Sequence, residues 1–225
     1  ALLPLTLLAG TQIFLQNTNL LLLGYWEGAE DVGFFRVAIS ASNLVILGIT
    51  AINLVMAPKF VQLYALADRV SLERKASQTS LLGFITAVAA ATILGVFGET
   101  ILMLLFGPDF VAAYPAMLIL ILGQVCIAWF GSCATLLNMS GNEFTSLKIM
   151  AVALVCNIIA SIFLIPAFGL LGAAVTTSII AIAWSIAFGV ATRYKVGIAA
   201  TPLGLLNPIA KNGAPETLQQ NRPTR

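Results

Sequence analysis

Long apolar stretches separated by short polar ones run from the start of the chain to about position 192. A helix needs about 20 mostly apolar residues to cross the hydrocarbon core of a bilayer. Six stretches meet this requirement, and almost no charge lies inside them. The pattern predicts six transmembrane helices, at 2–25, 33–57, 81–96 with an extension at 100–106, 112–137, 147–166 and 170–192.

Two polar segments fall outside this pattern. The first, 59–80, alternates apolar and charged residues at roughly helical spacing, which favours either a helix on the membrane surface or a solvated extension of the second helix. Pro58 precedes it and is expected to kink or end that second helix. The second, 194–225, is rich in Pro, Gly, Asn and Gln, and we expect it to be disordered.

Composition supports a membrane protein. Of the 225 residues, 60% are hydrophobic and 9% are charged, whereas soluble domains carry roughly 25% charged residues. Lipid can solvate this excess of apolar surface, but water cannot. The sequence therefore predicts an all-α integral membrane protein, a six-helix bundle over 1–193 followed by a cytoplasmic segment, 194–225.

The basic residues predict an orientation. Ten of the eleven Lys and Arg residues lie in the second and fourth loops or after the last helix, whereas the other loops hold five acids. Arg36 is the one basic residue on that acidic side. Because cytoplasmic loops are enriched in Lys and Arg, we expect both ends of this chain to face the cytoplasm.

Several kinds of chemistry are excluded by residue type. The chain has no histidine, which removes Ser-His and Cys-His catalysis, zinc-protease motifs and haem ligation through histidine. Cys126, Cys133 and Cys156 form no CxxC pair and are interpreted as small buried hydrophobic residues. Only scattered acids remain, so we expect no metal, no cofactor, no nucleic-acid partner and no enzymatic activity.

Polar residues inside the helices are the candidate site, because such residues usually face a bundle interior or a water-filled cavity. Helical spacing aligns them in one stripe on the first helix and another on the second, with further amides on the fourth and fifth. The predicted substrate-binding residues are Gln12, Gln16 and Asn19, then Arg36, Ser40, Asn43 and Thr50, and finally Gln124 and Asn157. The alternative is hydrogen bonding between helices, worth about 0.6 kcal/mol per bond.

Two interpretations are open for the side chain of Arg36. It lies about one turn inside the acidic loop and could reach out to pair with Asp31 or Glu30. However, the helix dipole disfavours a cation in the first turn. A role in holding an anionic substrate group such as a phosphate is therefore a second hypothesis.

The order of several motifs resembles the C-terminal half of oligosaccharide flippases. These motifs are 20–26 (LLLLGYW), 32–38 (VGFFRVA), 104–110 (LLFGPDF), 137–142 (LNMSGN) and 165–174 (IPAFGLLGAA). They are similar to those of polysaccharide biosynthesis transporters in the multidrug/oligosaccharidyl-lipid/polysaccharide exporter superfamily. The resemblance covers about 1–193, and the order and spacing of the motifs carry it.

This resemblance implies one lobe of a two-lobe transporter that moves a lipid-linked oligosaccharide by alternating access. Because the sequence starts at Ala1 inside an apolar stretch, we expect an N-terminal lobe upstream of it. The expected partners are that lobe, membrane lipids and a polyprenyl-pyrophosphate-linked oligosaccharide. An acid often stands in the family where this sequence has Asn19, which leaves cation coupling open there. Arginines in the cavities of related flippases suggest a pyrophosphate contact for Arg36.

Three other functions remain open at this point. A drug or cation exporter of the same superfamily has the same architecture. A membrane-embedded glycan ligase or polymerase needs a convergent set of catalytic groups. A six-helix assembly subunit transports nothing, and a second six-helix set upstream distinguishes a transporter from it.

Overall fold

The structure is a computed structural model that describes residues 2–66, 68–198 and 201–202, with side chains from residue 6 onward. All regular structure in these residues is helical. The helices are α1 (Leu2–Trp26), α2 (Ala29–Asn43), α3 (Leu47–Ala65), α4 (Arg69–Phe106), α5 (Tyr114–Trp129), α6 (Gly131–Met139) and α7 (Glu143–Val196). Two 3₁₀ turns, Leu44–Ile46 and Pro108–Ala113, join α2 to α3 and α4 to α5. The prediction of an all-α membrane protein is confirmed.

The predicted count of six helices is not exact. In the described part of the chain, four helical segments are long and apolar enough to cross a membrane: Ala29–Ala65, Arg69–Phe106, Pro108–Trp129 and Glu143–Val196. The predicted first helix is present as α1, but its Gln and Asn residues make it more polar than these four. The predicted fifth and sixth helices both lie within α7, which spans 54 residues.

A sharp reversal at Gly169 divides α7 into two arms, 143–168 and 170–196. The backbone of Gly169, with φ 54° and ψ −129°, is not helical and is open to few residues other than glycine. A methyl group built on Gly172 would lie 2.2 Å from the Leu164 carbonyl oxygen, so the arms lie directly against each other. The interruption that the sequence places at 167–169 is therefore a helical hairpin.

Charged residues that the sequence places between the predicted spans lie in helices. α3 continues to Ala65, so Pro58 does not end it and 59–65 extends that helix, as one of the two alternatives has it, whereas 69–80 forms the first turns of α4. Glu99 lies inside α4, which joins the two pieces of the predicted third helix. At 38 residues α4 is about 57 Å long, well beyond the ~40–45 Å of a whole bilayer. Its first turns therefore have room to lie outside the hydrocarbon.

The turns gather at two ends of the bundle. At one end, called the acidic end, the Phe34 and Phe110 rings lie 5.6 Å apart and Glu27 lies beside Gly169. At the other, called the basic end, Arg69 donates a hydrogen bond to the Val196 carbonyl, which ties the start of α4 to the end of α7. The predicted grouping of loops thus agrees with the fold.

The start of α4 and the end of α7 both lie at the basic end. Asp68 caps α4, and hydrogen bonds from the side chain and the backbone N–H of Ser71 lower the pKa of Asp68. α7 continues to Val196, whereas 203–225, most of the predicted disordered segment, lies outside the described residues.

The cysteines differ in their surroundings. Cys133 is buried, in line with the prediction, and Cys126 is partly buried. Cys156 is exposed on the first arm of α7, so the prediction of burial is wrong for this residue. An exposed side chain inside an apolar helix lies on the outer surface of the described bundle, and hydropathy alone does not distinguish such a position from a packed one.

Packing divides the interior into two apolar clusters. The larger one joins α1, α2, α4, α5 and the middle of α7, with Leu23, Phe35 and Met117 among its buried members. The second lies at the basic end, around Phe60 and Phe188. The polar residues described below lie where these clusters meet.

We expect Gly172→Ala to destabilise the hairpin, because the added methyl meets the Leu164 carbonyl, which belongs to the backbone and cannot rotate away. The expected cost is about 1–3 kcal/mol, as for other overpacked positions. Thermal unfolding of the purified protein in detergent measures it. Gly95→Ala is the matched control, since a methyl there meets no atom within 4 Å. Equal melting temperatures for the two variants would contradict the hairpin.

Candidate functional site

A partly open cavity of about 250 Å³, called the polar cavity, lies between α1, α2, α5 and both arms of α7, and Gln12, Gln16 and Asn43 in its lining are exposed. Its apolar lining comes from both clusters: Ile46 and Leu120 pack in the larger one, and Met150 and Trp184 in the other. Five of the nine predicted substrate-binding residues line it, namely Gln12, Gln16, Asn43, Gln124 and Asn157. The fold thus brings together amides from helices that are far apart in sequence.

Gln124 links α5 to α2 across this cavity. Its Nε2 donates a hydrogen bond of 3.0 Å to the Asn43 Oδ1 atom. Its Oε1 atom is buried and accepts no hydrogen bond from any described residue. An unpaired buried acceptor costs about 1–3 kcal/mol. The Gln124 side chain therefore carries an unsatisfied acceptor beside the cavity, enclosed by protein atoms in this conformation.

Asn19 lies beside this cavity in a hydrogen-bonded network of its own. Its Nδ2 donates to Asn157 Oδ1 at 3.3 Å and to Thr177 Oγ1 at 2.6 Å. Its Oδ1 accepts from Asn157 Nδ2 at 3.0 Å and from Ser161 Oγ at 2.6 Å. Asn19 is 2% exposed and does not line the cavity. The network joins α1 to both arms of α7. Its contacts are therefore those of the alternative interpretation, hydrogen bonding between helices.

Ser40 and Thr50 lie outside the cavity. Each is exposed and donates its hydroxyl to a carbonyl of its own helix, Ser40 to Arg36 and Thr50 to Ile46, at 2.8 Å in both cases. The 3₁₀ turn between Asn43 and Thr50 has 3.0 residues per turn where an α-helix has 3.6. A stripe calculated for one uniform helix therefore does not continue across it.

Arg36 lines a different space. It faces an open groove of about 440 Å³ between α1 and α2, whose lining includes Asn17 and Val32. Arg36 is exposed and forms no ion pair with Glu30 or Asp31 among the described residues. The groove shares no lining residue with the polar cavity. The alternative of a pair with the acidic loop has no support in this geometry.

Two polar features were missed in the sequence analysis. Ser42 and Thr177 line the cavity, but the seven-residue spacing of polar residues in the last helix selects Ser178, Ser185 and Thr192 and not Thr177. Asn53 of α3 donates to the Gly131 carbonyl at 2.8 Å and accepts from Ser132 at 3.3 Å. These bonds tie α3 to the break between α5 and α6.

Comparison with known proteins places the chain among membrane proteins. No family model matches it, and no solved structure matches it. Over 156 residues, 69% of the chain, it is 29% identical to an uncharacterized membrane protein of Methanocaldococcus jannaschii. Over 154 residues, 68% of the chain, it is 30% identical to the capsular polysaccharide biosynthesis protein CapF of Staphylococcus aureus.

The chain matches 31% and 38% of the lengths of these two relatives, so it spans about a third of either protein. Its apolar helices and these similarities identify a multi-pass membrane protein with a distant relative in polysaccharide biosynthesis.

We expect Asn19→Leu to lower the melting temperature of the purified protein in detergent. The substitution leaves Asn157 and Ser161 without their partner in a buried place, at a cost of about 1–3 kcal/mol. Asn17→Leu is the matched control on the same helix, because in the described part of the chain the Asn17 side chain donates only to the Ile13 carbonyl of α1 itself. A melting temperature for Asn19→Leu at or above that of the control would show that the network does not hold α1 to α7.

Proposed function

We propose that the chain is part of a transporter that moves a lipid-linked oligosaccharide across a bacterial plasma membrane by alternating access. The observation that carries this proposal is the polar cavity inside an otherwise apolar bundle, with amides converging from α1, α2, α5 and α7. The similarity to a capsular polysaccharide biosynthesis protein supports the substrate class. The carrier we propose is a polyprenyl pyrophosphate.

The chemistry of the cavity suits a sugar. Amide side chains both donate and accept hydrogen bonds, as sugar hydroxyls do. The Gln124 Oε1 atom accepts no bond from the described residues and is enclosed in this conformation, so a sugar hydroxyl would pair it in a state of the transport cycle in which the cavity has widened. At about 250 Å³ the cavity lies just below the ~300–1,000 Å³ of typical ligand pockets. This volume suits one or two sugar units and not a whole repeating unit.

Alternating access needs helices that can move against each other, and the bundle contains three interruptions where such movement can occur. These are the 3₁₀ turn Leu44–Ile46, the break between α5 and α6 at Phe130 and the reversal at Gly169. Hinges are commonly a few residues at the ends of elements that absorb backbone rotation. All three border elements that line the cavity.

Flipping needs no nucleophile or general base, which fits a cavity lined by amides and apolar side chains. The headgroup needs a polar path, while the lipid tail stays in hydrocarbon throughout. We propose that the basic end faces the cytoplasm, in keeping with the positive-inside rule. The substrate is then loaded at the basic end and released at the acidic end.

We expect Gln124→Leu, introduced into the full natural protein, to reduce surface polysaccharide and to raise the amount of lipid-linked intermediate in the cytoplasmic leaflet. Leucine has a similar size but cannot pair a hydroxyl, and one lost hydrogen bond of this kind costs about 0.5–1.5 kcal/mol. That corresponds to a loss of roughly two- to tenfold in rate if the bond forms in transit. Surface polysaccharide, membrane abundance and leaflet location of the intermediate are measured together.

Gln62→Leu is the matched control, because Gln62 is exposed on α3 outside the cavity. An intermediate that reaches the outer leaflet normally in Gln124→Leu but is not joined to polymer would favour a ligase or polymerase. Unchanged polysaccharide with increased drug sensitivity would favour a drug exporter. Either result would contradict the proposed function.

Arg36 yields a separate prediction. If the guanidinium grips a diphosphate with two parallel hydrogen bonds, Arg36→Ala abolishes polysaccharide export and Arg36→Lys keeps part of it, since lysine retains charge but not the planar fork. Neither substitution should change the amount of protein in the membrane, because Arg36 is exposed. Arg74→Ala, at an exposed site of α4, is the control. Normal export by Arg36→Ala would remove this residue from the substrate path.

A further inference from the structure

A second groove runs between the two arms of α7. Its volume is about 320 Å³ and its lining is almost wholly apolar. Val152, Ala153 and Cys156 contribute from the first arm, and Ala183 and Ala187 from the second. Because Val152, Cys156 and Ala183 are exposed, the groove opens on the outer surface of the bundle.

This groove adjoins the polar cavity. Ile180 and Trp184 line both spaces, so these two side chains form the partition between them. The Trp184 ring packs edge-on against Phe188 at 5.5 Å between centroids, and Phe188 is 2% exposed in the basic-end cluster. The partition is therefore anchored on one side by the core.

One charged residue, Lys148, lies at the basic end of the groove. It is exposed in the second turn of α7, and the remaining lining residues extend from it towards the middle of the bundle. A lysine near the end of a membrane helix can hold its ammonium group at the membrane interface, where the charge attracts lipid phosphates. An apolar channel that starts at an interfacial cation complements a lipid with an anionic headgroup.

The small volume of the groove, about 320 Å³, and its single cation favour a lipid with one chain and one phosphate. A polyprenyl phosphate has a single chain, whereas a membrane phospholipid has two. We therefore take the polyprenyl phosphate as the occupant to test.

We propose that the groove binds the tail of a polyprenyl phosphate, with the phosphate on Lys148 and with Ile180 and Trp184 separating the tail from the sugar in the polar cavity. This proposal rests on the proposed function, since it assigns the tail of the same substrate. Tail and headgroup would then be held in adjoining spaces of opposite polarity. The lipid enters from the bilayer between the arms of α7, and its tail does not leave hydrocarbon.

The test is photolabelling of the full natural protein by a polyprenyl monophosphate that carries a diazirine in its chain and no sugar. We expect label in the peptide that contains residues 148–156. Ala183→Phe fills the groove from an exposed position and should reduce labelling severalfold. Ala151→Phe is the matched control, since Ala151 is exposed on the first arm but does not line the groove.

The charge is tested separately. Lys148→Gln should weaken labelling by the polyprenyl phosphate but not by the uncharged polyprenol. Lys195→Gln is the control, because Lys195 is exposed at the same end outside the groove. Equal competition by a diacyl phosphatidylglycerol would contradict a single-chain site, and undiminished labelling of Ala183→Phe would overturn the proposal. If Ala183→Phe melts below wild type, Ala187→Phe repeats the test.

Failure of this site and failure of the proposed function give different results. If the photolabel does not attach as expected but export still depends on Gln124, the proposed tail site is wrong and the proposed transport function stands. Labelling as expected in a protein whose variants all export normally would keep a lipid site and remove the transport role.

Discussion

A polar side chain in hydrocarbon must find its hydrogen-bond partner inside the protein, and the packing of this bundle follows from how its amides meet that requirement. Asn19 and Asn157 satisfy each other and recruit Ser161 and Thr177, which fixes α1 against both arms of α7. Gln124 and Asn43 fix α5 against α2 but leave one amide oxygen without a partner among the described residues. The first set stabilises the bundle, and the second leaves one buried acceptor unsatisfied beside the cavity.

The hairpin at Gly169 makes this arrangement possible. In a continuous helix Asn157 and Thr177 would lie about 30 Å apart, yet both bond Asn19. The reversal also places Ile180 and Trp184 between the polar cavity and the groove that opens on the outer surface of the bundle. One backbone conformation that favours glycine thus brings together the interhelical network, the cavity and the groove.

Much of the fold could be predicted from sequence because the insertion of helices into a membrane depends on local hydropathy. The spans and the grouping of loops at two ends needed no tertiary information. The bounds of α4 were not predictable, since Glu99 marks a loop in hydropathy but is tolerated in a helix longer than the bilayer. The hydrogen-bond partners of the amide side chains were less predictable still. Periodicity aligned Asn19 with Gln12 and Gln16, but only the packing of the helices distinguishes a buried network from the wall of a cavity. Thr177 belongs to the site because the second arm of α7 folds back at the hairpin. Residue spacing along one helix does not reveal that reversal.

The central claim is that the polar cavity carries a glycan headgroup across the membrane, and transfer between leaflets measures this directly. The full natural protein is reconstituted into vesicles that contain a polyprenyl-pyrophosphate oligosaccharide in one leaflet, and a glycosidase or lectin outside reports its arrival in the other. The account predicts transfer that depends on the protein and falls when Gln124 is replaced by leucine. A substrate that stays in its original leaflet, or that is chemically joined to another glycan without crossing, would contradict it.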